Sequence, residues 1–293
     1  MIDMEDHERR YDEIIDRFIS FGEGCDFIRS AVVIGSRGRI DIEADEWSDL
    51  DIVIFTDKPG YFISNEVWLD DIGEYWLTFL EDTPIGDTKE RRVLFQGALD
   101  VDFAILSSHD FDELKDEPEI SSVFSRGYKV LIDKDSMFED VEFALDETFR
   151  LDNYDLPNED DFDNLVKDFW YHVVWSGKKL LRGEIWVAKS CVDGYMKSKL
   201  LKMTEWHTVA KKEKDVREEG RFFEIWADDR IIDGLEKCFS HYHEEDIKRA
   251  LKNTMYLFRW VSKEVSEELG FEYDSTADER CTEWLEENLF EYD

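Results

Sequence analysis

The chain has 293 residues, of which 73 are acidic and 36 basic, so its formal net charge is −37. So strong a negative field excludes ordinary nucleic-acid binding, which depends on neutralising phosphates with Lys and Arg. Hydrophobic residues make up 42% of the chain and include 10 Trp and 21 Phe, enough for one large core or two modest ones, and this composition excludes disorder.

The sequence predicts a cytoplasmic protein with no membrane partner. It has no apolar run long enough to cross a bilayer, and its N-terminus lacks the basic and apolar regions of a signal peptide. The 4 cysteines form no Cys-x-x-Cys pair, which favours reduced thiols over a structural zinc. The negative field favours a cationic partner. Solubility, or adaptation to a saline cytoplasm, would account for most of the charge equally well.

The first half of the chain predicts alternating helices and strands. Periodicity predicts an amphipathic helix over residues 4–22 and a second helix over 59–72. Strands are predicted over residues 27–34, 50–55, 76–80, 92–96, 99–106 and 128–132. Such alternation is typical of a mixed α/β sheet.

The chemistry is concentrated between the first two predicted strands. Gly35-Ser36 ends the first, and Asp49 and Asp51 open the second. Residues two apart on a strand share a face, so the two carboxylates meet at one spot, and carboxylate oxygens are what Mg²⁺ prefers. A glycine lets a phosphate approach the backbone. Alone, each half is typical of an ordinary turn or a solvated strand edge; together they indicate nucleotidyl transfer.

A third acid is expected in strand 99–106. Asp100 and Asp102 lie on the same face of that strand, so alternation does not choose between them. A carboxylate among apolar neighbours needs a partner, and a metal shared with Asp49 and Asp51 would supply one.

The second half of the chain predicts a helical domain. The acidic stretch 153–163 contains Pro157 and is interpreted as the boundary between domains 1–152 and 153–293. Helices are predicted over about 162–182, 184–206, 228–240, 244–269 and 279–290. The predicted fold class is therefore α+β, a mixed-sheet α/β domain followed by an α-helical one.

These motifs resemble those of two nested groups of enzymes. The order Gly-Ser then Asp-x-Asp resembles the signature of the DNA polymerase β-like nucleotidyltransferase superfamily. Within it, the chain is similar to the aminoglycoside 6-adenylyltransferase (streptomycin adenylyltransferase) family. The matching segments are Trp68-Leu69-Asp70-Asp71-Ile72-Gly73, Val101-Asp102-Phe103, Val130-Leu131-Ile132-Asp133-Lys134-Asp135, Phe169-Trp170 with Lys178, Arg182 and Glu184, and Leu200-Leu201-Lys202-Met203 with Trp206.

The resemblance implies an activity and its acids. Members of the family use ATP and Mg²⁺ to adenylylate a hydroxyl of streptomycin, releasing pyrophosphate. By analogy, Asp49, Asp51 and Asp102 would be the catalytic and metal-binding acids, and Gly35 and Ser36 would donate to the triphosphate. Either a second ion would activate the acceptor hydroxyl, or Asp102 would take its proton as general base.

Four basic residues are predicted to bind the nucleotide. Lys178 and Arg182 lie four apart, on one helix face, and would reach the phosphates from the helical domain. A solvated basic face is the alternative for that pair. Arg37 and Arg39 would also contact the nucleotide, or else pair with the acidic loop that follows them.

Asp168, Trp170 and Glu184 are predicted to bind a cationic acceptor, with surface carboxylates and a core tryptophan as the alternatives. Two other functions stay open at this point. One is a nucleotidyltransferase with another small-molecule or protein acceptor, and the other is a catalytically idle nucleotide-binding relative. The presence of all three acids together with Gly35-Ser36 disfavours the idle relative.

Overall fold

The computed structural model describes residues 4–39, 44–83, 88–115, 117–139, 141, 143, 156–211, 216 and 220–290. The chain divides into two compact units, Met1–Phe149 and Arg150–Asp293. The predicted domain boundary, between residues 152 and 153, lies outside the described residues.

The first unit is built on a mixed six-stranded sheet. Its strands are β1 (Ile28–Ile34), β2 (Leu50–Thr56), β3 (Tyr75–Asp82), β4 (Lys89–Phe95), β5 (Leu99–Ser107) and β6 (Lys129–Asp133). Their spatial order is β3-β4-β5-β2-β1-β6, and only the β2–β5 pair is parallel among these described strands. β1 and β2 are almost wholly buried, as their apolar runs predict.

Helices cover the sheet of the first unit. They are α1 (Met4–Gly24), α2 (Gly35–Gly38), α3 (Pro59–Ser64), α4 (Phe111–Leu114) and α5 (Pro118–Ser125). The predicted 59–72 helix is two pieces, because Asn65 is extended and a 3₁₀ turn, Val67–Asp71, follows it. The Asn65 side chain accepts a hydrogen bond from Val67 N at 2.9 Å and so starts that turn.

The second unit is helical, as predicted. Its helices are α6 (Glu159–Leu181), α7 (Ile185–Ser190), α8 (Met196–Lys211), α9 (Phe223–Trp226), α10 (Asp229–Leu235), α11 (Glu244–Leu269) and α12 (Ser275–Asn288). The predicted 184–206 helix contains a π-helical turn, Cys191–Tyr195. The rings of Phe169 and Phe258 stack in the core of this unit with their centroids 3.6 Å apart. The α+β class is thus confirmed. No helix among the described residues is both long and apolar enough to span a bilayer.

Candidate active site

The turn after β1 brings the backbone against an acid. Gly35 has φ +64°, the left-handed conformation that glycine adopts without strain. A Cβ at this position would lie 1.9 Å from Asp51 Oδ2. Both the backbone conformation and the missing side chain are therefore needed for this turn to lie beside Asp51.

Strand pairing gathers the three predicted acids. β1 pairs with β2 so that Ile34 lies opposite Asp51, and the parallel β2–β5 pair sets Asp51 opposite Asp102. Asp49 immediately precedes β2. The structure therefore brings the Gly35 turn, Asp49, Asp51 and Asp102 together at one end of the central strands.

The strand register also distinguishes Asp100 from Asp102, which the alternation of side chains along the strand could not do. Asp102 lies directly beside Asp51, whereas Asp100 lies two residues earlier in β5 and accepts a hydrogen bond from Tyr11 Oη at 2.9 Å. Asp100 is exposed. The geometry thus favours Asp102 as the third acid.

The acids perturb one another electrostatically. Burial raises the pKa of Asp51 to about 7, and the charges of Asp49, Asp102 and Glu90 add to this effect. Burial also raises the pKa of Asp102 to about 7, helped by Glu90 and opposed by Arg92. Like charges held close together disfavour ionisation. The site therefore concentrates negative charge that a cation would relieve.

The three acids match the needs of Mg²⁺, the ion that the nucleotidyltransferase motif implies, in donor type and charge. Three carboxylates offer the hard oxygen ligands this ion requires, and their repulsion favours a divalent cation. In the described part of the chain, no three His, Cys, Asp or Glu side chains converge closely enough to form a ready-made site. Arg92 Nη1 lies 3.7 Å from Asp102 Oδ2. The acids fit the ion in donor type and charge.

Ser36 and Arg37 connect α2 to the chain that enters β2. Ser36 Oγ lies 3.5 Å from both the carbonyl oxygen and Oδ1 of Asp49. Arg37 Nε donates to the carbonyls of Ser48 and Asp49 at 3.2 and 3.1 Å, and the guanidinium carbon lies 3.9 Å from the Tyr11 ring centroid. Arg37 thus fixes the position of Asp49. Arg39 follows α2 directly, and its backbone N donates to Gly35 O at 3.1 Å. Nucleotide contacts for these residues stay predictions.

In the second unit, both members of the predicted basic pair, Lys178 and Arg182, are exposed, and each has a neighbouring side chain. Lys178 Nζ lies 5.8 Å from the Trp284 ring centroid. Arg182 Nε is 2.6 Å from Glu184 Oε1, and Lys179 Nζ is 2.6 Å from Glu184 Oε2. Two residues predicted for different ligands, Arg182 and Glu184, are therefore partners of each other.

Asp168 belongs to a polar cluster formed by α6, the π-helical turn and α8. It pairs with Lys199 at 2.7 Å and His172 at 2.8 Å, and it accepts hydrogen bonds from Tyr195 Oη at 2.8 and 3.0 Å. Burial alone would raise the pKa of Asp168, but the hydrogen bonds from Lys199 and Tyr195 outweigh it and lower the pKa.

Trp170 is a core side chain in this structure. It is 1% exposed, and its Nε1 donates to Tyr273 Oη at 3.2 Å. The position of Trp170 therefore fits a core tryptophan better than a residue that contacts the acceptor directly.

Two residues near the acids were not predicted from the sequence. Glu90 and Arg92 lie on β4, on the face that Asp102 presents, and Arg92 is directly opposite Asp102. The tight turn between Phe95 and Leu99 sets this register, so counting back from the turn would have found the pair.

Comparison with known proteins gives the family. The family model for streptomycin adenylyltransferase matches residues 8–288. An aminoglycoside 6-adenylyltransferase from Campylobacter jejuni is 25% identical over 268 residues, covering 89% of this chain and 90% of the relative. One from Bacillus subtilis (strain 168) is 25% identical over 289 residues, covering 95% and 97%.

Among solved structures, an aminoglycoside 6-adenyltransferase from Bacillus subtilis aligns at a TM-score of 0.45 and 22% identity, over 95% of this chain and 98% of the other. That structural likeness adds nothing to the assignment, which rests on the family match across almost the whole chain. The chain belongs to the streptomycin adenylyltransferase family and is a nucleotidyltransferase of the aminoglycoside adenylyltransferase type.

Proposed function

We propose that this protein transfers AMP from ATP to a hydroxyl group of a streptomycin-like aminoglycoside and releases pyrophosphate. The observation that carries the proposal is the parallel register of Asp51 and Asp102 beside the left-handed turn at Gly35. Membership of the family supports the use of ATP and the class of acceptor. The net charge of −37 is compatible with a polycationic acceptor, whose encounter with the protein it would accelerate.

Asp49, Asp51 and Asp102 would hold Mg²⁺. When bound, the ion would neutralise charge on the triphosphate and on the reacting oxygens. By analogy with the Gly-Ser motif of the family, Gly35 and Ser36 would donate to the phosphates. Arg37 would keep Asp49 in place through the two backbone carbonyls that it contacts.

The chemical step is a displacement at the α-phosphorus. The acceptor oxygen forms a new P–O bond, the bond to the bridging oxygen breaks, and pyrophosphate leaves with that electron pair. The hydroxyl proton passes to a carboxylate. We assign that role to Asp102, which lies beside Asp51 in the parallel pair.

Residues of the second unit would assist on the strength of the family resemblance. We assign Lys178 and Arg182 to the departing pyrophosphate, and Asp168 and Glu184 to the cationic groups of the acceptor. Each of these residues already has an ion-pair partner or lies near an aromatic ring, and a bound ligand would have to replace that contact. Trp170, which lies on α6 two residues after Asp168, would act by packing that helix into the core of the second unit.

The test is acceptor-dependent pyrophosphate release from ATP and Mg²⁺, with streptomycin tried first and other aminoglycosides next. The expected product carries one AMP group by mass spectrometry, and Asp51→Asn should abolish its formation. Should no aminoglycoside accept AMP or shift the melting temperature, the aminoglycoside assignment fails. Adenylylation of another hydroxyl compound in the same assay would then identify a nucleotidyltransferase with a different acceptor.

A further inference from the structure

Arg92 is a cation close to the acids of the proposed site. It projects from β4 toward Asp102, and its Nη1 lies 3.7 Å from Asp102 Oδ2. Asp102 in turn lies opposite Asp51 in the parallel β2–β5 pair. The guanidinium therefore places a positive charge beside the carboxylates that gather at this end of the strands.

Two glutamates hold this guanidinium from the other side. Arg92 Nε lies 2.7 Å from Glu81 Oε2 and 2.9 Å from Glu90 Oε1. Both are the distances of close ion pairs, whereas 3.7 Å to Asp102 is too long for a hydrogen bond. Arg92 is thus close enough to attract Asp102 electrostatically, while its nearer carboxylates are those of Glu81 and Glu90.

We propose that Arg92 is a positioning residue that supplies the metal's positive charge while the metal is absent. It keeps the acids in place without occupying the oxygen ligands, and Glu81 and Glu90 prevent it from closing onto Asp102. A divalent cation then takes over the role without displacing a hydrogen-bonded partner from Asp102. This inference rests on the proposed function, because it assumes that Asp49, Asp51 and Asp102 bind the ion.

Mn²⁺ alone, followed by electron paramagnetic resonance, tests the proposal without ATP or acceptor. Arg92→Leu should tighten Mn²⁺ binding about fivefold, because the guanidinium no longer competes with the ion for the negative charge of Asp102. Arg92→Lys keeps the charge and should bind Mn²⁺ like the wild type. In an Asp102→Asn background, Arg92→Leu should change the affinity about twofold or less, because the residue acts through Asp102.

Lys89→Gln is the matched control. Lys89 is a cation on the same strand, but it lies on the opposite face and pairs with Asp82. Its removal should leave Mn²⁺ affinity unchanged.

Thermal unfolding separates a positioning role from a purely structural one. Without metal, Arg92→Leu should lower the melting temperature, because the acids lose their counter-charge. Saturating Mn²⁺ should restore it, whereas loss of a merely structural ion pair would persist with Mn²⁺ bound.

Three results would overturn the inference. The first is that Arg92→Leu binds Mn²⁺ no more tightly than the wild type. The second is that Lys89→Gln tightens Mn²⁺ binding as much as Arg92→Leu does. The third is that Arg92→Leu tightens Mn²⁺ binding by the full amount in the Asp102→Asn background. Wild-type protein that binds no Mn²⁺ would overturn the proposed metal site and this inference with it. If the wild type binds Mn²⁺ and Arg92→Leu binds it equally well, the proposed metal site stands and only the inference about Arg92 is overturned.

Discussion

Gly35→Ala tests the closest contact in the proposed site. The new Cβ would start 1.9 Å from Asp51 Oδ2, while ordinary contacts begin at 3.4 Å. The carboxylate must therefore move by about 1.5 Å, and a displacement of about 1 Å at a reacting group costs on the order of 10²-fold in rate. We expect kcat/KM for pyrophosphate release to fall about 10²-fold.

The same substitution carries a backbone cost. Gly35 has φ +64°, and a left-handed conformation costs a residue with a Cβ about 1–2 kcal/mol. The free energy of unfolding of the first unit, measured in urea, should fall by that amount. Mn²⁺ binding should weaken in parallel with activity, because Asp51 is the residue displaced.

Gly60→Ala provides the control for Gly35→Ala. Gly60 lies in the same unit, has no left-handed φ, and a Cβ there would meet nothing within 4 Å. It should leave rate and Mn²⁺ binding unchanged and should not lower the free energy of unfolding, because alanine is favoured over glycine in a helix such as α3. Wild-type activity and Mn²⁺ affinity in Gly35→Ala would show that the approach of this turn to Asp51 has no part in the site.

Four further predictions follow from the structure. Asp102→Asn should lower kcat/KM at least about 10²-fold, because it keeps the shape and removes charge from the ion site, whereas Asp100→Asn should stay within about twofold. The pKa of Asp51 rises from 3.8 to about 7 on folding, so the stability it contributes is present below about pH 4 and lost as the pH rises to about 7. Metal-free Asp51→Asn should therefore gain stability relative to the wild type across that range, as measured by urea unfolding. Asp278→Ala should lower the free energy of unfolding of the second unit by about 3 kcal/mol, because it leaves the partly buried Arg259 guanidinium, whose Nε lies 2.7 Å from Asp278 Oδ2, without its carboxylate. The KM for an aminoglycoside should rise with salt in steady-state assays, because screening acts beyond a Debye length of about 8 Å at physiological ionic strength.

Each of these predictions has an outcome that contradicts it. Loss of activity in Asp100→Asn, with Asp102→Asn active, would assign the third acid to the other residue. A constant stability difference between Asp51→Asn and the wild type from pH 4 to 7 would show that Asp51 ionises normally. A cost below about 1 kcal/mol for Asp278→Ala would mean that water solvates the guanidinium adequately. A KM independent of salt would remove the negative field as a cause of acceptor capture.

The sequence alone determined those features that depend on residues close together in the chain. Apolar runs predicted β1 and β2, and the two-residue period of a strand put Asp49 and Asp51 on one face. Helical periodicity likewise predicted α1, α6 and α11 near their observed limits. Such patterns suffice because side-chain direction within one element is set by its own backbone geometry.

The tertiary structure decided which elements meet and in what register. Alternation could not choose between Asp100 and Asp102, and the family resemblance favoured Asp102; the parallel pairing of β2 with β5 sets that residue beside Asp51. Packing also placed Trp170 in a core and surrounded Arg92 with three carboxylates. Strands more than forty residues apart find their register by burying side chains from the whole unit, and no local pattern in either strand records that choice.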